Sequence, residues 1–385
     1  MTVCVAEAAS MDSGARRGTG FTVAADGAYA ARLAGAGGAL YPERWTLDGP
    51  EPYAVRLPLD RPEAPGTQVL PLTDGRVLIA RGAGGRYAFS LLYPAGPGTG
   101  ELPLGSVAAP ALRLLPPAPD GTSAYALSAG ARSTGIWRVA GGGAGPEHVA
   151  EVRGRCAGGV WLDRAGRLLA VDRAVDGGPV KAVAVDLERG GEVTPLLQLT
   201  DDSNDRLLLA DPDSGLLLIR SDAPSPGHER LGWGVLGSAR PVRFPECLRL
   251  ADAAVTPFAA QPGQVLMPEA CAVALRIDAA AGSWVGVWRP SGRRLDQLAP
   301  PPGWLAGAGV WTPGGALRLP YATRTVPCGL ARIEMSAQPP VPPGGTPRPP
   351  VEPAGGEPSG RPASPAVCRP VPLQQAPLTG RTAHG

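Results

Sequence analysis

Short apolar runs, each preceded by a small turn that ends in glycine, recur along most of the chain. Seven such turns stand in register: Ala25-Asp26-Gly27, Thr73-Asp74-Gly75, Pro119-Asp120-Gly121, Arg164-Ala165-Gly166, Asp213-Ser214-Gly215, Gln261-Pro262-Gly263 and Pro313-Gly314-Gly315. The runs that follow them are 28–33, 76–80, 123–127, 167–171, 216–219, 264–267 and 316–319. Several are apolar throughout rather than alternating, which is the pattern of strands covered on both faces. An Asp-Gly or similar pair supplies the positive φ that a tight hairpin requires.

The steps from glycine to glycine are 48, 46, 45, 49, 48 and 52 residues. A period of about 40–50 residues is that of one propeller blade. A third strand is predicted at 87–93, 135–139, 180–186 and 272–278, and a fourth at 52–58, 147–152, 193–199 and 283–289. Four strands per unit make a blade. No stretch of about 11 residues keeps a helical period, and frequent proline would break most candidates. The expected architecture is therefore all-β, a seven-bladed β-propeller over residues 17–336. The last unit ends at its third strand, 329–336. The N-terminal segment 1–16 holds a strand-like stretch, 2–8, that would close the seventh blade, or else lie frayed at the terminus. Residues 337–385 hold 14 prolines and almost no large apolar side chain, so a disordered Pro-rich tail is expected.

Composition narrows the partners. Gly (54) and Pro (46) make up about a quarter of the 385 residues, roughly double ordinary usage. The 36 basic and 34 acidic residues leave a net charge of +2, which gives no electrostatic case for nucleic acid or an anionic membrane. All the basic residues but Lys181 are arginine. No apolar run approaches the ~18–20 residues of a membrane span. The first ten residues lack the basic region and apolar core of a signal peptide, so a cytoplasmic location is expected.

Candidate chemistry is sparse. Only His148, His228 and His384 are available, there is no Gly-x-Ser-x-Gly elbow, and no phosphate loop occurs. The six cysteines show no CxxC spacing and read as free buried thiols, with bridged pairs in an exported protein as the alternative. Asp201, Asp202, Asp205, Asp211 and Asp213 form the one candidate for calcium, but their spacing is not that of an EF-hand, and a solvated loop between blades is the plainer reading. Neither metal nor cofactor is expected. The tryptophans are expected to fill gaps between blades. Arg32, Arg81, Arg173 and Arg220 lie five to seven residues beyond their unit's glycine, and Arg324 nine beyond. If the units superpose, these five approach one rim of the central channel, where guanidinium groups would bind a carboxylate, a phosphate or an acidic peptide.

The turn-then-strand repeat, with Trp137, Trp161, Trp288 and Trp311 each after an aliphatic residue, resembles the β-propeller superfamily in its loose WD40-like or TolB-like forms, over about residues 17–336. The Gly-His and Trp-Asp pairs of true WD40 blades are absent. The resemblance implies a rigid face with variable loops. The expected role is a non-catalytic scaffold that binds a protein or peptide over the channel mouth. Alternatives are a propeller enzyme resembling lactonases or lyases, and a gating propeller that acts with a separate hydrolase of the prolyl-oligopeptidase kind.

Overall fold

The computed structural model describes residues 20–35, 38–262 and 266–334. Among these the chain is all-β, with 26 strands and two single-turn 3-10 helices, Glu246–Leu248 and Pro268–Ala270. No helix is long and apolar enough to cross a membrane. Strands pair with their sequence neighbours in antiparallel meanders. Four-stranded sheets cover 22–56, 68–108, 111–153 and 253–298, and a three-stranded sheet covers 310–334. A seven-stranded sheet between 155 and 235 consists of two meanders, 155–197 and 205–235, joined by a single parallel pairing of Lys181 with Asp205.

The apolar second strands explain how these meanders stack. Side chains alternate across a strand, so a strand apolar throughout feeds two layers at once. In Leu216–Ser221, Leu216 and Leu218 pack toward Val255, Val273 and Leu275 of the 253–298 sheet, while Leu217 and Ile219 pack toward Ala170 and Ala182 of the 155–197 meander. In Val77–Ala83, Leu78 and Ala80 join the layer with Leu112 and Ala126, while Val77 and Ile79 join Ala31 and Leu57. Burying a side chain of this size contributes about 1.5–3 kcal/mol. The sequence of layers also brings the last sheet against the first: Leu305, Ala308 and Leu330 pack with Ala30 and Trp45.

The glycine turns form as expected at six of the seven positions, Gly27, Gly75, Gly121, Gly166, Gly215 and Gly315, all with φ between 72° and 83°. Gly263 lies outside the described residues. Aspartates close several of these turns; Asp26 accepts from the N–H of Ala28, and Asp120 from those of Thr122 and Ser123. Neighbouring turns touch as well. The backbone N–H and hydroxyl of Thr73 both donate to the carbonyl of Gly121 at 3.0 Å.

The sixth unit departs from expectation. Its second strand is Val273–Ala279 and its third is Gly282–Trp288, one place earlier in the meander than the sequence reading assigned them. Leu266 and Met267, placed in a strand by their apolarity, are not in one, and Met267 is exposed. Pro268 follows directly and opens a 3-10 turn, which its missing N–H favours over a ladder. The predicted closure strand 2–8 and the predicted Pro-rich tail lie outside the described residues. Six tryptophans are buried: Trp45, Trp161, Trp233, Trp288, Trp304 and Trp311. Cys156, Cys247, Cys271 and Cys328 are free thiols, and burial pushes the Cys328 thiol up to about 11.

Candidate functional site

Within each meander the chain leaves its second strand on the same face where it enters its first. That face carries the loops between second and third strands and the connections from one sheet to the next. The sequence-selected arginines sit near this end of their strands, and their surroundings differ sharply. Arg32 donates through Nε to Glu43 Oε2 at 2.7 Å, and its guanidinium stacks 5.1 Å from the Trp45 ring centre. The same buried carboxylate oxygen accepts the Trp45 indole N–H at 2.8 Å. Arg81 grips buried Glu63 through Nε and Nη2, at 3.1 and 2.9 Å, and reaches Glu101 at 2.6 Å. Arg220 donates through Nη2 to the carbonyl of Val255 at 3.0 Å, tying the 205–235 meander to the next sheet. Arg173 and Arg324 make no ion pair with a described residue; Arg324 is exposed in the turn before Gly329–Glu334. No two of the five share a hydrogen-bond or ion-pair partner.

A different set of charges converges on the first strands, which face one another across successive sheets. Arg206, in Asp205–Asp211, lies 3.8 Å from Asp172 Oδ2 and 3.8 Å from Glu229 Oε1. Arg220 Nε lies 4.0 Å from the other oxygen of Glu229. Arg113, in Ala111–Leu114, is exposed between buried Leu112 and Leu114 and close enough to act on the ionisation of Asp172. Asp172 is itself buried, and its Oδ1 accepts the backbone N–H of Leu207 at 3.0 Å. Burial pushes this carboxyl up; the Leu207 N–H and the charges of Arg206 and Arg113 pull it back, and it settles at about 6. A β-bulge makes room for it. The register of Arg155–Trp161 shifts between Ala157 and Val160, and a Cβ on Gly158 would stand 3.3 Å from Asp172 Oδ2.

The contacts of Arg206 are ion pairs at van der Waals range, not hydrogen bonds. Its donors, and those of Arg113, are free of hydrogen bonds to other described residues. Near pH 6 the Asp172 charge is half neutralised, so guanidinium charge predominates along this wall. Beside it an open cavity of about 750 Å³ is bounded by Thr22, Leu40, Thr67, Gln68 and Arg113. Gln68 is fixed there, since its amide donates to the Leu112 carbonyl and accepts from the Leu114 N–H. Sequence reasoning missed Arg113, Arg206, Asp172 and Glu229. The signal for Arg113 is an arginine flanked by two buried leucines on a first strand, a position that must face away from the layers.

The acidic stretch resolves into separate partnerships. Asp201 and Asp202 are exposed as expected of a solvated loop, but Asp205 is buried against Lys181. Asp211 accepts from Ser214 and Asp213 pairs with Arg164. His148 lies at the surface, 3.1 Å from Glu151.

No protein-family model and no curated protein matches the sequence. Solved structures do match its fold. A puromycin hydrolase matches with a TM-score of 0.55 and 15% identity over 83% of this chain and 52% of that one. Prolyl oligopeptidase B from Galerina marginata matches with a TM-score of 0.51 and 12% identity over 83% and 49%. TolB from Acinetobacter baumannii matches with a TM-score of 0.43 and 11% identity over 80% and 79%. The fold is a β-propeller. The chain spans about half the length of the two hydrolases, and identities this low show a shared fold alone.

Proposed function

We propose that the chain is a seven-bladed propeller ring and a non-catalytic platform that binds an acidic protein or peptide over its channel mouth. Seven apolar layers, the last joining the 310–334 and 22–56 sheets, support the blade count. The 310–334 sheet has three strands among the described residues, and the segment 2–8 completes it in this reading.

The observation that carries the binding role is the pair Arg113 and Arg206. Their guanidinium donors make no hydrogen bond to another described residue, and Asp172, one of the two carboxyls 3.8 Å from Arg206, is held back from full ionisation. Such donors are matched by a carboxylate-rich ligand. Fluorescence anisotropy of the full chain with a labelled acidic decapeptide tests the reading. Replacing Arg113 and Arg206 together by Gln is expected to weaken binding by about tenfold or more, with the loss shrinking in high salt. Unchanged affinity overturns it.

A second reading, prompted by the fold shared with a puromycin hydrolase, is that this face screens substrates for a hydrolase held by another protein. Co-purified peptidase activity that the Arg113 and Arg206 substitutions alter would support it.

A further inference from the structure

A second recess on the same face lies between the 205–235 meander and the 253–298 sheet, roofed by the connection between them. Its volume is about 290 Å³, near the lower end for small-ligand pockets. The interior is apolar: Leu231, Leu248 and Val255 are buried, and Leu250 adds to them. The margin is cationic, with Arg220, Arg230 and Arg249 against one lining carboxylate, Glu229.

The guanidinium groups are only partly engaged. Arg230 donates to Glu246 at 2.6 Å, and Arg249 donates to the other oxygen of Glu246 at 3.3 Å. Glu246 is largely exposed, and the guanidinium groups of Arg249 and Arg230 hold it below the usual carboxylate range. Three guanidiniums thus share two carboxylates, Glu229 and Glu246. Each guanidinium carries five N–H donors, so most remain available to an incoming anion. Arg220 is anchored by the Val255 carbonyl and cannot swing away.

An apolar pit ringed by guanidiniums selects a ligand with an apolar body and a carboxylate on the same residue. A bare phosphate would leave the leucines without a partner, and an internal peptide residue would bring no charge to the arginines. We infer that this recess binds the C-terminal residue of a peptide, its free carboxylate held by Arg220 and Arg249 and its aliphatic side chain set against Leu231, Leu248 and Val255. The inference rests on the reading of this face as a peptide-binding platform and adds the chemistry of the peptide's end.

The test titrates the full chain with two fluorescein-labelled peptides of the same sequence, Gly-Ser-Gly-Ala-Leu, one ending in a free carboxylate and one in an amide. The free acid is expected to bind about tenfold more tightly or better. Arg249→Gln, at an exposed position that does not put folding at risk, is expected to abolish that preference, and Leu248→Asp to weaken both peptides. Equal affinities for acid and amide overturn the inference, as does a preference that survives Arg249→Gln. The acidic decapeptide serves as the control. If it binds through Arg113 and Arg206 while acid and amide bind alike, the recess fails and the platform stands. If the pentapeptide acid is selected through Arg249 while the decapeptide does not bind, the channel-mouth reading fails and the recess stands.

Discussion

Lys181, the chain's single lysine, places its Nζ 2.9 Å from Oδ2 of Asp205, a carboxylate with no exposure to solvent. The pair sits at the one parallel pairing between two meanders. The hydroxyls of Ser203 and Ser221 and the N–H of Leu199 also donate to Asp205. A buried carboxylate with this many donors is tolerable, but removing its counter-charge leaves it uncompensated. Lys181→Met is expected to lower the unfolding free energy by about 3 kcal/mol. Adding Asp205→Asn is expected to restore at least about 1 kcal/mol of that loss, because the stranded charge goes with it. Urea denaturation of the two variants checks both; a silent Lys181→Met refutes the account of the pair.

Asp172 gives a pH dependence of definite sign. Its carboxyl holds a proton up to about pH 6 in the folded chain, against an ordinary value of 3.8, because it is buried. Between those values the folded state binds more protons than the unfolded one. This group therefore makes stability fall as pH rises from about 4 to about 6, by up to about 3 kcal/mol, with no further change above. In Asp172→Asn that component vanishes, while the amide oxygen still accepts from Leu207. Denaturation of both proteins at pH 4, 5, 6 and 7 measures it; a wild-type-minus-variant difference that stays flat contradicts the assignment.

Of the six described glycines in the repeated turns, Gly121 has the least room. A Cβ there would stand 2.4 Å from Thr73 Cγ2, and its φ is +72°. Gly121→Ala is expected to cost about 2–3 kcal/mol, from strain at positive φ and from the clash with the neighbouring turn. Gly84 has a φ of +57° and open space around it, so Gly84→Ala is expected to cost only about 1 kcal/mol. Thermal unfolding of both variants ranks them, and equal losses would remove the role assigned to the turn-to-turn contact.

The blades were legible because two local codes agree. Asp26-Gly27 and Asp120-Gly121 mark hairpins, and Leu216–Ser221 is apolar at consecutive positions because it feeds two layers. The code broke down at 261–272, where Met267 is apolar yet exposed and Pro268 ends any ladder. The arginine reading followed spacing alone. Spacing cannot say that Glu43 and Glu63 lie opposite Arg32 and Arg81, since those pairings come from the third strand and from a connection between sheets. Asp172 and Arg206 were invisible for the same reason: 34 residues separate them, and only the stacking of two meanders brings them within 4 Å.

Ring closure by the N-terminal segment has its own test. If residues 2–8 complete the last sheet, deleting residues 1–10 exposes the edge of Gly329–Glu334 and lowers the melting temperature by about 3 °C or more. The same melting temperature in the truncated chain rejects closure by that segment.

The binding account meets its most direct test in a crystal structure of the chain with an acidic decapeptide. The account predicts a peptide carboxylate within hydrogen-bond distance of the guanidinium groups of Arg113 and Arg206, over the channel mouth. A peptide seated on the opposite face, among the glycine turns, with both guanidiniums left in water, would contradict it.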